Sequence, residues 1–593
     1  MIIEAPLPAF ADWWAGAATW WLIVVGLLGA AVLVLGLIGA IVRQGPVAGP
    51  RSFVRFVGSA LGDLVRMSPR RVGAIMRLAV LESVRRMVLA VFVVFIVILL
   101  FAGWYLDPGT NEPAKLYLSF LLSTTSYLVL LLALLLSVFS LPNDIRNRTI
   151  YTVVTKPVRP SELVLGRILG FSLIGTAMLA ATGIASYVFV VRGLDHTHEV
   201  VVDSLVAGDS GNLTGRTSLD NGHRHEVRIG ADGNGRADVA QDHWHSITAQ
   251  QRGTETIYEV GPPQGMLEAR VPIVGTLLFT DRQGRVGETA QDVGKESKYR
   301  SWIEGGTQGS AMYTFAGVTP EQFPDGLPVE LNLGVFRTHK GDVSKGILGS
   351  IILRNPDNPE IAAAPLNFVA EEYRSDLKRF ARELTTSDGD KLDLFADLAP
   401  DGRIEVKIVC LEPGQYYGMA PTDVYLRARD ASFAGNMFKA YVGIWLQMVV
   451  ITAIGVTLST FLNAAVAMLG TFALILAGFA RGFIDDVANN QVLGGGPLES
   501  LIRLVTQANV STPLEPGLST TIAQTFDDLY QGLLRAVVEL IPDLGVLSQV
   551  GRLANGFNIP ADGVAVHMVM TLGYVAPIFV AGYVLLKMRE VAG

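Results

Sequence analysis

The chain has 593 residues, half of them hydrophobic and only 17% charged, with a formal net charge of −7. No soluble globular class combines that apolar fraction with so few charges, and no nucleic-acid partner is expected. A single cysteine, Cys410, excludes an internal disulfide framework.

The apolar residues are concentrated in seven blocks, 17–42, 87–106, 116–141, 163–191, 438–460, 461–483 and 567–586, each close to the ~20 residues a bilayer-crossing helix needs. Residues 1–42 carry the first. Glu4 and Asp12 precede it where a secretory signal carries basic residues, and the block is longer than a signal core, so it reads as a retained extra helix. Residues 43–86 then hold nine arginines and no lysine against two acids, Asp63 and Glu82. That bias places them in the cytoplasm and the N-terminus outside. From Pro69 to Arg86 the sequence PRRVGAIMRLAVLESVRR repeats Val72, Ile75, Met76, Ala79 and Val80 at helical spacing among arginines, the pattern of an amphipathic helix on the inner membrane surface.

Residues 87–192 supply three more spans, the last two joined by a basic segment, 142–162, which orientation puts inside. Residues 193–435 then lie outside, 436–484 hold two spans separated by one tight turn near Asn463, and 485–565 form an outer stretch with short helices. The last span and a cytoplasmic tail with Lys587 and Arg589 occupy 566–593. Trp13, Trp14, Trp20, Trp21 and Trp104 fall at the outer ends, as interfacial anchors do. The large insertion divides into a His-rich module, 193–250, and a β-rich part, 251–435. In the latter, 329–336, 346–354, 403–411 and 423–430 alternate apolar and polar residues between turn signals, which predicts a sandwich, with a charged, helix-like interruption at 368–384. The expected fold class is a polytopic α-helical membrane protein of seven transmembrane helices with an extracytoplasmic β-rich, sandwich-like domain, resident in the cytoplasmic membrane.

The segment LPNDIRNRTIYTVVTKPVRPSELVLGRILG, from Leu141 to Gly170, is short, basic and wedged between two long apolar blocks. Pro157 and Pro160 fix φ and force a turn, while Asp144, Arg146, Arg148, Lys156 and Arg159 offer charges to another protein. Lys156-Pro157, then Glu162, then Gly166-Arg167 resemble the coupling segment of ABC-2-type transporter permeases. Arg159 stands one place early for that pattern, and Arg148 occupies a position where glycine before Thr149-Ile150 is common. The resemblance implies a six-helix core from residue 87 onward, an elbow helix at Pro69–Arg86, and a pair of permease cores, alike or paired with a related chain. It also implies docking of a separate ABC ATP-binding subunit on Asn143, Asp144, Arg146, Arg148, Thr149, Lys156, Pro157, Arg159 and Glu162. ATP then belongs to the partner, because no G-x-x-x-x-G-K-[ST] loop occurs in this chain; no catalytic residue is expected here. The competing expectation is a membrane-anchored extracytoplasmic binding, sensing or metal-handling protein without transport.

Six of the eight histidines form three His-x-His pairs, His196/His198, His223/His225 and His243/His245. On an extended strand residues i and i+2 share a face, so each pair can present two imidazoles together. Neutral imidazole suits a transition metal.

Overall fold

The computed structural model describes residues 10–86, 88–107, 109–146, 158–208, 211–252, 255–291, 300–338, 345–371, 375–492, 494–510 and 514–591. They form two compact units. One is Glu268–Phe433 with Gly556–Asn558; the other is Pro8–Leu267, Ala434–Asn555 and Ile559–Gly593.

In the larger unit, five helices are long and apolar enough to cross a membrane: α1 (Phe10–Val65), α4 (Pro113–Arg146), α5 (Pro160–Leu194), α6 (Phe433–Phe461) and α13 (Ala561–Val591). A sixth exists if α7 (Ala464–Phe479) and α8 (Arg481–Ala488), bent by 67° to each other, are one span. The sequence reading has seven. The remaining candidate, α3 (Val88–Tyr105), presents only Ala90–Leu99 as a shorter apolar helix among the described residues. The turn expected near Asn463 is present, and the Asn463 side chain caps α7 by accepting the Val466 N–H.

The stretch read as a linker after residue 42 is helical. α1 breaks at Gly45, whose φ of 85° suits glycine, and Gly49 then packs on Ala40 so closely that a side chain there would strike the backbone. α2 (Pro69–Arg86) is the expected amphipathic helix, with Val72, Ile75 and Ala79 buried. It lies against α5 because Gly166 and Gly170 leave room for Ile75 and Ala79. Gly478 packs on Leu544 and Pro542. Residues after α8 form α9 (Pro497–Thr506), α10 (Leu518–Val538) and the short α11 (Leu544–Leu547) and α12 (Val550–Ala554).

The insertion leaves α5 as an antiparallel meander in which consecutive strands pair: β1 (Val206–Ala207), β2 (Leu213–Arg216), β3 (Glu226–Ile229), β4 (Asn234–Ala240), β5 (His243–Arg252) and β6 (Glu255–Val260). The His-rich module therefore runs past residue 250. The boundary with the β-rich unit falls at Glu268. A small core of Val200, Val227, Ile229, Ala237 and Ile247 holds the meander together.

The β-rich unit has one large core walled by antiparallel sheets. Its six-stranded sheet contains Ile347–Arg354, Arg403–Cys410 and Ser310–Ala316 side by side, and its four-stranded sheet contains Leu327–Leu331 beside Val424–Arg427. Arg403–Cys410 alternates strictly, with Ile404, Val406, Ile408 and Cys410 inside. Two expectations need correction. The run 329–336 is two strands, Leu327–Leu331 and Gly334–Arg337, which join different sheets. The described residues of the helix-like 368–384, which exclude 372–374, instead belong to three strands, Leu366–Ala370, Asp376–Phe380 and Glu383–Thr385, because Phe368, Ala370 and Phe380 enter the core at strand spacing.

Candidate metal centre

Three segments of the meander unit repeat one another: Leu194-Asp195-His196-Thr197-His198-Glu199-Val200, Asn221-Gly222-His223-Arg224-His225-Glu226-Val227 and Gln241-Asp242-His243-Trp244-His245-Ser246-Ile247. Two of them begin in tight turns with both residues left-handed, Asn221 and Gly222 at φ 45° and 77°, Gln241 and Asp242 at φ 46° and 63°. Such turns match the twist of a hairpin and launch the next strand directly into His-x-His. The apolar residue two places after each second histidine, Val200, Val227 or Ile247, anchors the segment in the small core.

This repeat draws all six histidines together, each of them buried. The first of each pair donates its Nδ1–H to the carbonyl two residues earlier: His196 to Leu194 (2.9 Å), His223 to Asn221 (3.4 Å) and His243 to Gln241 (3.1 Å). The second donates to a more distant carbonyl: His198 to Ser218 (3.0 Å), His225 to Asp238 (2.7 Å) and His245 to Gly261 (2.7 Å). A carbonyl only accepts, so each facing nitrogen carries the ring's proton and every Nε2 of a neutral ring is left with a bare lone pair.

Those lone pairs converge. Nε2 of His243 lies 3.0 Å from that of His196 and 3.1 Å from that of His223, and His223 lies 3.2 Å from His198. Nε2 of His225 and of His245 has no hydrogen-bond partner. Acceptors at hydrogen-bond distance repel unless a cation lies between them, and buried unpaired acceptors are costly. The ring contacts complete the figure. Twelve histidine pairs have centroids 4.7–5.1 Å apart and planes crossing at 77–86°. The three pairs without such a contact are His196/His225, His198/His243 and His223/His245. Six points with twelve near pairs and three opposite pairs are an octahedron. The three first histidines form one triangular face and the three second histidines the other. In five of the residues the ligating atoms all lie within 4.8 Å of one another.

Burial, the largest cause, pushes the imidazoles of His198, His223 and His245 down to about 4 and that of His243 to about 3, and lowers His225 as well. These five rings are held toward the neutral form, the state that ligates metal. In the unfolded chain histidine titrates near ~6.5, so between that value and the folded ones the unfolded chain binds more protons. The stability these rings contribute is complete above pH ~6.5 and is lost as pH falls toward 4 and then 3. Chelator-treated protein is thus expected to show a urea midpoint that drops across this window, read from Trp244 fluorescence by difference with Trp244→Phe. A midpoint unchanged by pH would contradict buried neutral rings. Trp244 reports locally because it lies on β5 between His243 and His245, under the Arg236 guanidinium at 4.1 Å.

The residues expected to meet an ATPase lie elsewhere in the same unit. Arg148, Thr149, Lys156 and Pro157 fall outside the described residues. Asn143, Asp144 and Arg146 form the last turn of α4, where Arg146 is exposed. Asp144 pairs with Arg167 of α5, and Arg167, almost fully buried, also faces Glu82 of α2 at 3.6 Å. Arg159 leads into α5 and faces Asp63 at 3.6 Å. Glu162 is not a surface residue. It is buried at the start of α5, where it accepts from both Arg71 Nε (2.7 Å) and Nη2 (2.6 Å), from the Ser68 N–H (2.8 Å) and from the Arg159 N–H (3.1 Å). Its role is to hold the amphipathic helix to α5, a role invisible in sequence because Arg71 lies 91 residues away.

The histidine pairs are legible in the sequence, whereas their closure into one cage is not. The signal available was the longer repeat, His-x-His followed by Glu or Ser and then Val or Ile, which marks three equivalent strand starts. Comparison with known protein families and with curated proteins finds no match to this chain.

Proposed function

We propose that this chain is a metal-binding membrane protein, with an extracytoplasmic module that holds one transition-metal ion in a cage of six histidines. The observation that carries the reading is the convergence of six buried Nε2 atoms whose rings are all committed, through Nδ1, to backbone carbonyls. That is the second-shell arrangement that orients imidazoles toward a metal.

For the membrane region we propose the permease subunit of an ATP-driven ABC-2-type transporter in the cytoplasmic membrane, with its N-terminus outside and C-terminus inside. In this reading a separate ATP-binding subunit docks on 142–162, and two cores move against each other. Support comes from the resemblance of that segment and from the ionic contacts around it. Arg71–Glu162 and Glu82–Arg167–Asp144 tie α2, α4 and α5 together on either side of residues 147–157, so a push on the segment passes to three helices at once. The alternative, an anchored metal-handling protein without transport, is favoured by the fact that the cage is complete within one chain.

One purification separates the two. The tagged chain, extracted from its own host in mild detergent, is expected to bring down an ATP-binding subunit with ATPase activity, and Lys156→Glu is expected to lose it. Arg159→Glu makes a second variant, although it also repels Asp63. Recovery of the chain without an ATPase, its metal retained, removes the permease reading and leaves the metal-binding one.

A further inference from the structure

We infer that this cage, given the metal site proposed above, is a closed six-coordinate centre for a divalent ion of the manganese-to-nickel series, not a zinc site and not a site with an open position for substrate. The argument begins with shape. With a metal–nitrogen bond of about 2.1 Å, adjacent donors stand about 3.0 Å apart on an octahedron and about 3.4 Å apart on a tetrahedron. Of the three close Nε2 separations, 3.0 and 3.1 Å stand at the octahedral end of that interval and 3.2 Å at its middle. The twelve-contact ring pattern allows no other six-point figure in which each ring meets four neighbours and misses one.

The count of donors points the same way. A structural zinc ion takes four ligands. Four ligands here would leave two Nε2 atoms bare in a buried cluster whose members are at most 8% exposed, and each bare acceptor carries the desolvation cost of an unsatisfied polar group. Copper(II) prefers a tetragonal arrangement, against six rings disposed alike in two triangular faces. Manganese(II), iron(II), cobalt(II) and nickel(II) accept six nitrogens in an octahedron, and affinity rises along that series.

Charge selects the oxidation state. All six ligands are neutral, and so are the six backbone carbonyls behind them. The Asp238 carboxylate, which acts on His225, is shared with Arg228 at 2.9 Å. A trivalent ion would bury one more uncompensated charge than a divalent one, so the cage holds its metal divalent, and iron in it stays ferrous. With six positions filled by protein, water and substrate have no place on the ion. The centre is structural: it locks β3, β5 and the segment leaving α5 to one point. Through His196, which donates to the last carbonyl of α5, and Gln241, whose side chain donates to Gly109 at 2.9 Å before α4, it also fixes the meander to two membrane helices.

The test uses the full chain in detergent, stripped by chelator and titrated with cobalt(II), whose visible spectrum separates six-coordinate ions (weak bands) from four-coordinate ones (intense bands). One cobalt per chain is expected, with weak bands that azide leaves unchanged. His245→Ala should still take cobalt, and its bands should now move with azide because one position has opened. Intense bands in the wild type, or an azide response in it, would overturn the six-coordinate inference while leaving a metal site in place. Bands in His245→Ala that are identical to wild type and indifferent to azide would overturn it too. No cobalt uptake by a chain with folded Trp244 fluorescence would overturn the metal reading itself, and this inference with it.

Discussion

Replacing His223 and His225 together by alanine is expected to strip the purified chain of its metal, from one ion per chain to less than roughly one-tenth of that, since removing an outer-shell partner alone costs ~10–100-fold in affinity. The two side chains are adjacent corners of the cage, one from each triangular face, and each stands opposite a remaining ligand: His225 opposite His196, His223 opposite His245. Their loss leaves one complete opposite pair, His198 with His243, and two rings without an opposite partner, His196 and His245: four corners of the octahedron with two neighbouring positions open to water. The effect should extend to folding. A preformed cage exists only in the native state, so metal affinity is folding free energy, and the wild type should lose thermal stability in chelator while the variant does not respond. His567→Ala supplies the control, because His567 is also buried, on α13, but is not among the cage rings; its metal content should equal that of the wild type. Wild-type metal content in the double alanine variant would refute the cage.

That the cage can be tested with residues named from sequence shows where legibility begins and ends. His-x-His on a strand puts two rings on one face by period alone, and the three pairs are plain in the sequence. Their meeting depends on the meander having strands short enough, and turns tight enough, for separate starts to come back to one place. The turn at Asn221-Gly222 was readable, since Asn-Gly is a strong hairpin signal. The turn at Gln241-Asp242 was not, because Gln in the left-handed region runs against its preference and is held there by the fold around it. The same limit explains Glu162. Its position in the basic segment suggests a surface contact, and only the approach of α2, permitted by Gly166 and Gly170, turns it inward toward Arg71. The apolar blocks were legible for the opposite reason: a span is a local property of composition and length. Their exact number was not, since α3 has only Ala90–Leu99 as a shorter apolar helix, and a bend of 67° between α7 and α8 divides one block into two helices without any proline to announce it.

In the β-rich unit, Arg300→Met is expected to cost about 3–5 kcal/mol, the range for removing one partner of a buried ion pair. Arg300 and Asp423 are 5% and 1% exposed, and the guanidinium holds the carboxylate with two nitrogens, Nε at 2.7 Å and Nη2 at 3.2 Å. Asp423 also accepts the Ala420 N–H at 2.8 Å, and the Ala420 carbonyl in turn receives the buried Tyr313 hydroxyl at 2.7 Å. Burial already pushes the Asp423 carboxyl above the usual range, with Arg300 pulling it back; without Arg300 it rises further. A folded value above the unfolded one means that the fold favours the protonated acid, so the variant's deficit should be small below the ordinary carboxylate range and should grow as pH rises through the raised folded value. Hydrogen exchange of the amides in Leu327–Leu331 and Val424–Arg427 reads the effect locally. Protection there should fall by about 100-fold or more at neutral pH, each tenfold being ~1.4 kcal/mol. Arg300→Met with Asp423→Leu should recover most of it, because an apolar pair of similar volume carries no buried charge. A loss under about tenfold in the single variant, or a double variant no better than the single, would show that the carboxylate is relieved by water or another group, so that the pair is not what holds this part of the sheet.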